Sequence, residues 1–207
     1  MNPNPTIALL GCPNAGKTAL FNALTKSNLK VGNYPGVTVE SKEGLIEFND
    51  TLKAKLVDLP GIYSLKPLSL DEEVTVNFLK NKEARPQLIL AVVDATNLER
   101  HLGLLLELKA LHIPMVVALN MFDLAEQRGL ELDINHLSEL MGSPIIPTVA
   151  IKSSSIVELT QAMESSLDTN LHLCPDEEEM NIAPSNIIDR QNKVTEILDQ
   201  VTLKKKE

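Results

Sequence analysis

Short apolar runs alternate along this chain with longer segments whose apolar residues recur every three or four positions. The run TIALL (6–10) predicts a buried strand. GKTALFNALTK after it predicts a helix with Leu20, Phe21 and Leu24 on one face. VTVESKEGLIEF and LKAKLVDL predict two neighbouring strands joined by a turn at Asn49-Asp50. SLDEEVTVNFLKNK predicts a helix capped by Ser69, with acids in the first turn, where they complement the helix dipole. QLILAVVD (87–94) reads as a strand apolar on both faces, LERHLGLLLELKALH as a helix, and PMVVALN (114–120) as another buried strand. DINHLSELMG predicts a short helix that stops at Gly142. PIIPTVA predicts a last strand and SSIVELTQAMESSL a last helix. Such alternation predicts an α/β fold: a mostly parallel, six-stranded sheet with helices on both faces. Ligands of these sheets gather at the carboxyl ends of the strands.

The pattern changes after residue 167. DTNLHLCPDEEEMNIAPSN has two prolines, an acidic run from Asp176 to Glu179 and no periodicity, and reads as a linker. NIIDRQNKVTEILDQVTLKKKE has helical spacing at Ile187, Ile188, Val194, Ile197, Leu198 and Val201, a stripe that must bury against something. The expected division is therefore 1–167 as a nucleotide-binding domain and 168–207 as linker plus a short helical appendage. That appendage is either a docking helix or part of a domain cut short. No internal repeat is present.

Composition narrows the function classes. The chain has 207 residues, 43% of them hydrophobic, enough for one full core. Its net charge of -9 argues against broad contact with nucleic acid, which requires clustered Lys and Arg. Cys12 and Cys174 form no metal-binding spacing and are expected reduced, in a cytosolic setting. His101, His112, His136 and His172 are scattered and read as surface or packing residues. MNPNPT lacks the basic start and cleavage site of a signal peptide. The most apolar stretch is broken by Glu107, Lys109 and Pro114, so a soluble chain is expected.

Gly11, Cys12, Pro13, Asn14, Ala15, Gly16, Lys17 and Thr18 match G-x-x-x-x-G-K-[ST] between a predicted strand and helix. The glycines let main-chain N–H groups turn around a phosphate chain, and the helix start, through Ala19, adds its positive dipole end. Lys17 would reach the β- and γ-phosphates, and the Thr18 hydroxyl would bind Mg²⁺. Asp58, Leu59, Pro60 and Gly61 follow at a strand end: the carboxylate suits Mg²⁺, and the Gly61 amide can approach the γ-phosphate. Asn120, Met121 and Asp123 lie in N-x-x-D. The Asp123 carboxylate can accept from N1–H and the 2-amino group of guanine, and adenine offers neither. Thr38, preceded by Gly36 and Val37, stands where a mobile loop could bring a hydroxyl to Mg²⁺ and γ-phosphate. Val149 and Ala150 follow the last strand, and the Ala150 N–H is a candidate partner of the guanine carbonyl. Ile62 stands after DLPG, where a glutamine would orient water. Positive charge beside the transferring phosphate must then come from elsewhere. On the residues alone, Asn14 is equally a turn residue or a cation ligand.

GCPNAGKTALFNALT, VGNYPGVTVE, VDLPGIYSL, VVDATNLERHL and VALNMFDLAE together resemble the amino-terminal GTPase domain of the bacterial ferrous iron transport protein B (FeoB) family, over residues 5 to 167. The resemblance implies a Ras-like P-loop GTPase that takes GTP and GDP with Mg²⁺ and is stimulated by K⁺. It would lie on the cytosolic face of the inner membrane, joined to a membrane-spanning iron permease of the same polypeptide. A homo-oligomer stays open, and a nucleic-acid partner is not expected. It implies that Asn14 is a K⁺ ligand, with main-chain carbonyls from Gly32 to Tyr34 as others. It also places a nucleotide-dissociation-inhibitor module after the GTPase domain, where residues 168–207 are shorter than expected. The base loop lacks the usual Ser-Ala pair. Two further readings stand beside it: a ribosome- or tRNA-associated GTPase, and a non-hydrolysing guanine-nucleotide sensor motivated by Ile62.

Overall fold

A computed structural model describes residues 4–25, 29–34, 39–49, 51–81, 85–150, 152–170 and 187–205. Its elements run β1 (Thr6–Gly11), α1 (Lys17–Thr25), β2 (Leu29–Asn33), β3 (Glu40–Glu47), β4 (Lys53–Asp58), α2 (Leu70–Lys80) and β5 (Leu88–Asp94). Then come a 3-10 turn (Ala95–Asn97), α3 (Leu98–Lys109), β6 (Met115–Asn120), α4 (Phe122–Gln127), β7 (Leu130–Leu132), α5 (Ile134–Met141) and β8 (Ile145–Pro147). The last elements are α6 (Ser153–Asn170), α7 (Ile187–Val201) and β9 (Thr202–Lys205).

The main sheet has seven strands in the order β2-β3-β4-β1-β5-β6-β8. This is one more than the six expected. The extra strand is β2, whose sequence LKVGN is short, ends in a glycine and an asparagine, and leaves Val31 65% exposed, so little in it announces a strand. It forms because β3 offers an open edge, and the two pair antiparallel from Leu29↔Gly44 to Asn33↔Glu40. Strands β4, β1, β5, β6 and β8 are parallel. Their consecutive apolar residues serve two cores at once, as strands buried on both faces must. Ile7 and Leu9 face the side covered by Leu20, Phe21 and Leu24 of α1 and Leu159, Met163 and Leu167 of α6. Ala8 and Leu10 face Val76 and Leu79 of α2 and Leu102 and Leu105 of α3.

Helix α7 docks rather than standing free. Val194, Ile197 and Val201 join the α2/α3 core, and Leu198 packs partly against it. Each such burial contributes roughly 1.5–3 kcal/mol. Ile188, expected in the apolar stripe, is 61% exposed instead, because the helix turns that position away from α3 and α5. The chain then extends into β9, a strand the sequence pattern did not reveal, which pairs antiparallel with β7. Arg190 forms an ion pair with Glu107 of α3. The expected helix signals hold elsewhere: the Ser69 side chain accepts from Glu72 N at the start of α2, and α5 ends at Gly142.

Candidate nucleotide site

Four of the singled-out segments converge at the carboxyl ends of β1, β4, β6 and β8. Gly11–Thr18 leaves β1 and turns into α1. Asn14 sits in the left-handed region at φ 65°, and Gly16 at φ 91°, a conformation glycine adopts without steric cost. The Asn120 Nδ2 donates to the Ala15 carbonyl at 3.0 Å, a buried bond across 105 positions. A Cβ on Gly16 would lie 2.2 Å from that same nitrogen, so the bond and the glycine require each other. The side chains of Cys12 and Ala15 are buried, Asn14, Thr18 and Ala19 are exposed, and Pro13, Gly16 and Lys17 are half-buried. Burial pushes the Cys12 thiol up to about 11, against the pull of Arg100 and Lys17, so it stays protonated and unreactive at neutral pH.

The segment Asp58–Gly61 lies directly against this loop. Leu59 N donates to Leu9 O at 2.9 Å, and Ile62 N donates to Gly11 O at 3.2 Å. A Cβ on Gly61 would come within 3.1 Å of Pro13 N, so a larger residue would have to push the two segments apart by a few tenths of an ångström. Leu59 and Ile62 send their side chains into the core. Ile62 is fully buried and offers nothing to a water molecule. The Asp58 Oδ1 is buried with no hydrogen-bond partner. Burial raises the Asp58 carboxyl above its usual range, while the Lys17 and Lys42 charges oppose that rise. A buried, orphaned carboxylate oxygen facing a lysine suits a cation. Tyr34 reaches the same segment, its hydroxyl donating to the Asp58 carbonyl at 2.8 Å. Burial and the neighbouring Asp58 carboxylate hold the Tyr34 phenol well above its usual range, so it remains a donor. Gly32 lies within the β2–β3 ladder, opposite Ser41. Gly36, Val37 and Thr38 fall outside the described residues.

At the other end, Asn120 closes β6 and Met121 takes the left-handed conformation at φ 57°, which swings Phe122 and Asp123 into the first turn of α4. The Met121 Cε would lie 3.7 Å from a Cβ on Gly16, so this side chain lies along the loop. Thr148 links the neighbouring segment to β6: its N–H donates to Leu119 O at 2.8 Å, and its carbonyl accepts from Phe122 N at 3.3 Å. Val149 and Ala150 follow, both half-buried. Asp94, beside Asn120 in the sheet, is not a ligand candidate. Its Oδ1 accepts from the N–H and hydroxyl of Thr96, both at 2.8 Å, capping the 3-10 turn. Sequence reasoning missed Ser155, whose hydroxyl holds the 149–152 turn, and Arg100, which stacks on the Tyr63 ring at 4.5 Å. A run of three serines at a helix start was the only signal for the former.

The sequence model of the family described as ferrous iron transport protein B matches residues 5–163. The chain belongs to the ferrous iron transport protein B family. An Fe(2+) transporter FeoB of Escherichia coli K12 is 47% identical over 163 residues. These make up 77% of this chain and only 21% of that relative, so the chain spans about a fifth of its length. The cytosolic domain of Legionella pneumophila FeoB superposes with a TM-score of 0.82 at 34% identity, covering 96% of this chain and 100% of that one. The cytosolic domain of Thermotoga maritima FeoB in a GDP form gives a TM-score of 0.83 at 25% identity, covering 96% and 98%. Both superpositions extend past the family match at residue 163, so they also take in the docked α7 region. The architecture is thus the P-loop GTPase fold of FeoB G domains. Within that family frame, no helix among the described residues is long and apolar enough to cross a membrane, and none of their His, Cys, Asp and Glu side chains cluster as a metal site.

Proposed function

We propose that this chain is the GTP-binding, GTP-hydrolysing domain of a ferrous iron transporter, acting at the cytosolic face of the membrane. Residues 1–167 would form the catalytic unit, and 168–207 a linker and docked helix of dissociation-inhibitor type. The observation that carries the reading is the Asn120–Ala15 bond at 3.0 Å. It ties the N-x-x-D segment to the glycine loop, so base and phosphates of one nucleotide meet one continuous surface. The GDP form of the T. maritima relative supports a guanine nucleotide as the ligand.

Each residue then has a role that follows from its chemistry. Main-chain N–H groups from Asn14 to Thr18 cradle the phosphates at the start of α1. Lys17 and the Gly61 amide stabilise charge on the γ-phosphate. Thr18, Thr38 and Asp58 would hold Mg²⁺, and the orphaned Asp58 Oδ1 fits that role. Asn14, with carbonyls near Gly32 and Tyr34, would hold K⁺; its exposed, left-handed placement leaves the side-chain amide free to turn toward the phosphates. When bound, the two cations supply positive charge beside the transferring phosphoryl group. Asp123 selects guanine, and the Ala150 N–H addresses its carbonyl.

Buried Ile62 leaves orientation of the attacking water to main-chain groups. The same residue favours one other reading, a sensor that binds GTP without hydrolysing it. The ribosome-associated alternative gives way to the family match. The separating experiment is single-turnover GTP hydrolysis with Mg²⁺ in K⁺ or Na⁺ buffer. Turnover faster in K⁺, with the difference lost in Asn14→Ala, supports the proposal. Equal rates in the two buffers refute the Asn14 role, and no turnover in either favours the sensor.

A further inference from the structure

The turn that carries Ala150 is held from below by one side chain. Val149 N donates to the Ser155 Oγ at 3.1 Å. The same hydroxyl lies 2.9 Å from both the Val149 and the Lys152 carbonyls. It has one proton to give, so it bonds one carbonyl at a time and accepts from Val149 N throughout. Lys152 N closes the turn by donating to Val149 O at 2.8 Å. Ser155 is 9% exposed, so these bonds are shielded from competing water. Ala150 presses against the α1/α6 core, and its own amide has no partner among the described residues. The Val149 and Lys152 amides are thus tied down while that of Ala150 is left to donate.

We propose that Ser155 is a positioning residue for base recognition: it fixes the 149–152 turn in advance, so that the Ala150 N–H is aimed at the 6-oxo group of the purine. The proposal rests on the guanine-nucleotide reading above. Preorganisation of this kind raises affinity by removing the ordering cost from the binding step. It acts through a single atom of the base, which makes it separable from the work of Asp123. Asp123 addresses N1–H and the 2-amino group, while the Ala150 amide addresses only the 6-oxo group.

The test compares three diphosphates on the full chain. GDP and inosine diphosphate both carry the 6-oxo group. 2-Aminopurine riboside diphosphate lacks it. Ser155→Ala is expected to weaken GDP and inosine diphosphate by the same factor, about tenfold, as the loss of one ordered hydrogen bond brings. Binding of the 2-aminopurine nucleotide is expected to stay within about twofold, and Ser155→Thr, which keeps the hydroxyl, should restore the first two. An equal loss for all three nucleotides would show a general structural role and overturn the proposal, as would no loss for any. A second measurement needs no variant: amide exchange on the wild-type chain before nucleotide is added. The Val149 amide should be protected and the Ala150 amide exchange freely; an unprotected Val149 amide overturns the proposal. Failure of the guanine reading looks different, since wild type would then bind ADP as tightly as GDP.

Discussion

Between Gly11 and Thr18 the chain is shaped mainly by its own backbone, whereas between Asn120 and Ser155 it is shaped by side chains that reach across the sequence. The phosphate end depends on a glycine at φ 91°, a helix start and main-chain bonds to the neighbouring strand segments. The base end depends on Asn120 reaching Ala15 and on Ser155 reaching Val149. Backbone-shaped sites tolerate few residue types and so leave a strong sequence pattern. At the base end Asn120 and Asp123 leave the N-x-x-D pattern, whereas the Ser155 prop leaves almost none.

The largest expected effect is at the phosphate end. Gly16→Ala forces a Cβ into the Asn120 amide at an unfavourable φ. Strain and the lost bond together cost on the order of 3 kcal/mol, about a hundredfold in GDP affinity by calorimetry. Asn120→Ala comes next, because it removes a buried bond that spans both ends. The buried Ala15 carbonyl loses its partner, and roughly 1–3 kcal/mol should vanish from both folding stability and GDP binding. If GDP binding alone fell, the bond would be a ligand contact and not a tie between the ends.

Asp58→Asn should separate stability from function. Burial holds the folded-state carboxyl above the value of an unfolded aspartate, so the ligand-free fold favours the protonated form more than the unfolded chain does. The penalty for the carboxylate is absent below that value and grows as pH rises through the folded-state value. At neutral pH the Asn variant should therefore melt higher without nucleotide, yet gain less from GTP with Mg²⁺. A lower melting temperature for the ligand-free variant would contradict the reading of Asp58 as an orphaned ligand.

The smallest effect concerns His101. Its Nδ1 accepts from Asp94 N at 3.0 Å, which requires the neutral ring, and burial holds its pKa below the usual histidine range. The sign is opposite to Asp58: this stability is complete above the unfolded value and is lost as pH falls through it. Thermal melts from about pH 7 to about pH 5 should show a loss that His101→Gln flattens.

Much of this was legible in the residues. The parallel core strands announced themselves because burial on both faces demands unbroken apolar runs, as in LILAVVD. The Ser69 cap and the convergence of DLPG and NMFD on the glycine loop were equally readable. Strand β2 was not, since edge pairing with β3 is a main-chain event that its side chains do not encode. Strand β9 was hidden for the same reason, its pairing partner lying some seventy positions away at β7. The docking of α7 was readable as an apolar stripe, but not the ion pair of Arg190 with Glu107. That carboxylate also accepts from the Ser64 hydroxyl and the Leu65 N–H, so its partners come from two separate segments.

Calorimetric binding of GDP, ADP and xanthosine diphosphate to wild type and Asp123→Asn tests the central claim most directly. Xanthine carries a 2-oxo group where guanine has its 2-amino group, so an Asn amide can donate where the Asp carboxylate can only accept. Wild type should bind GDP and neither of the others tightly, and the variant should lose GDP by about a hundredfold while gaining xanthosine diphosphate. Equal binding of GDP and ADP by wild type, or a variant that keeps its GDP affinity, would contradict a guanine-reading site built on Asn120 and Asp123.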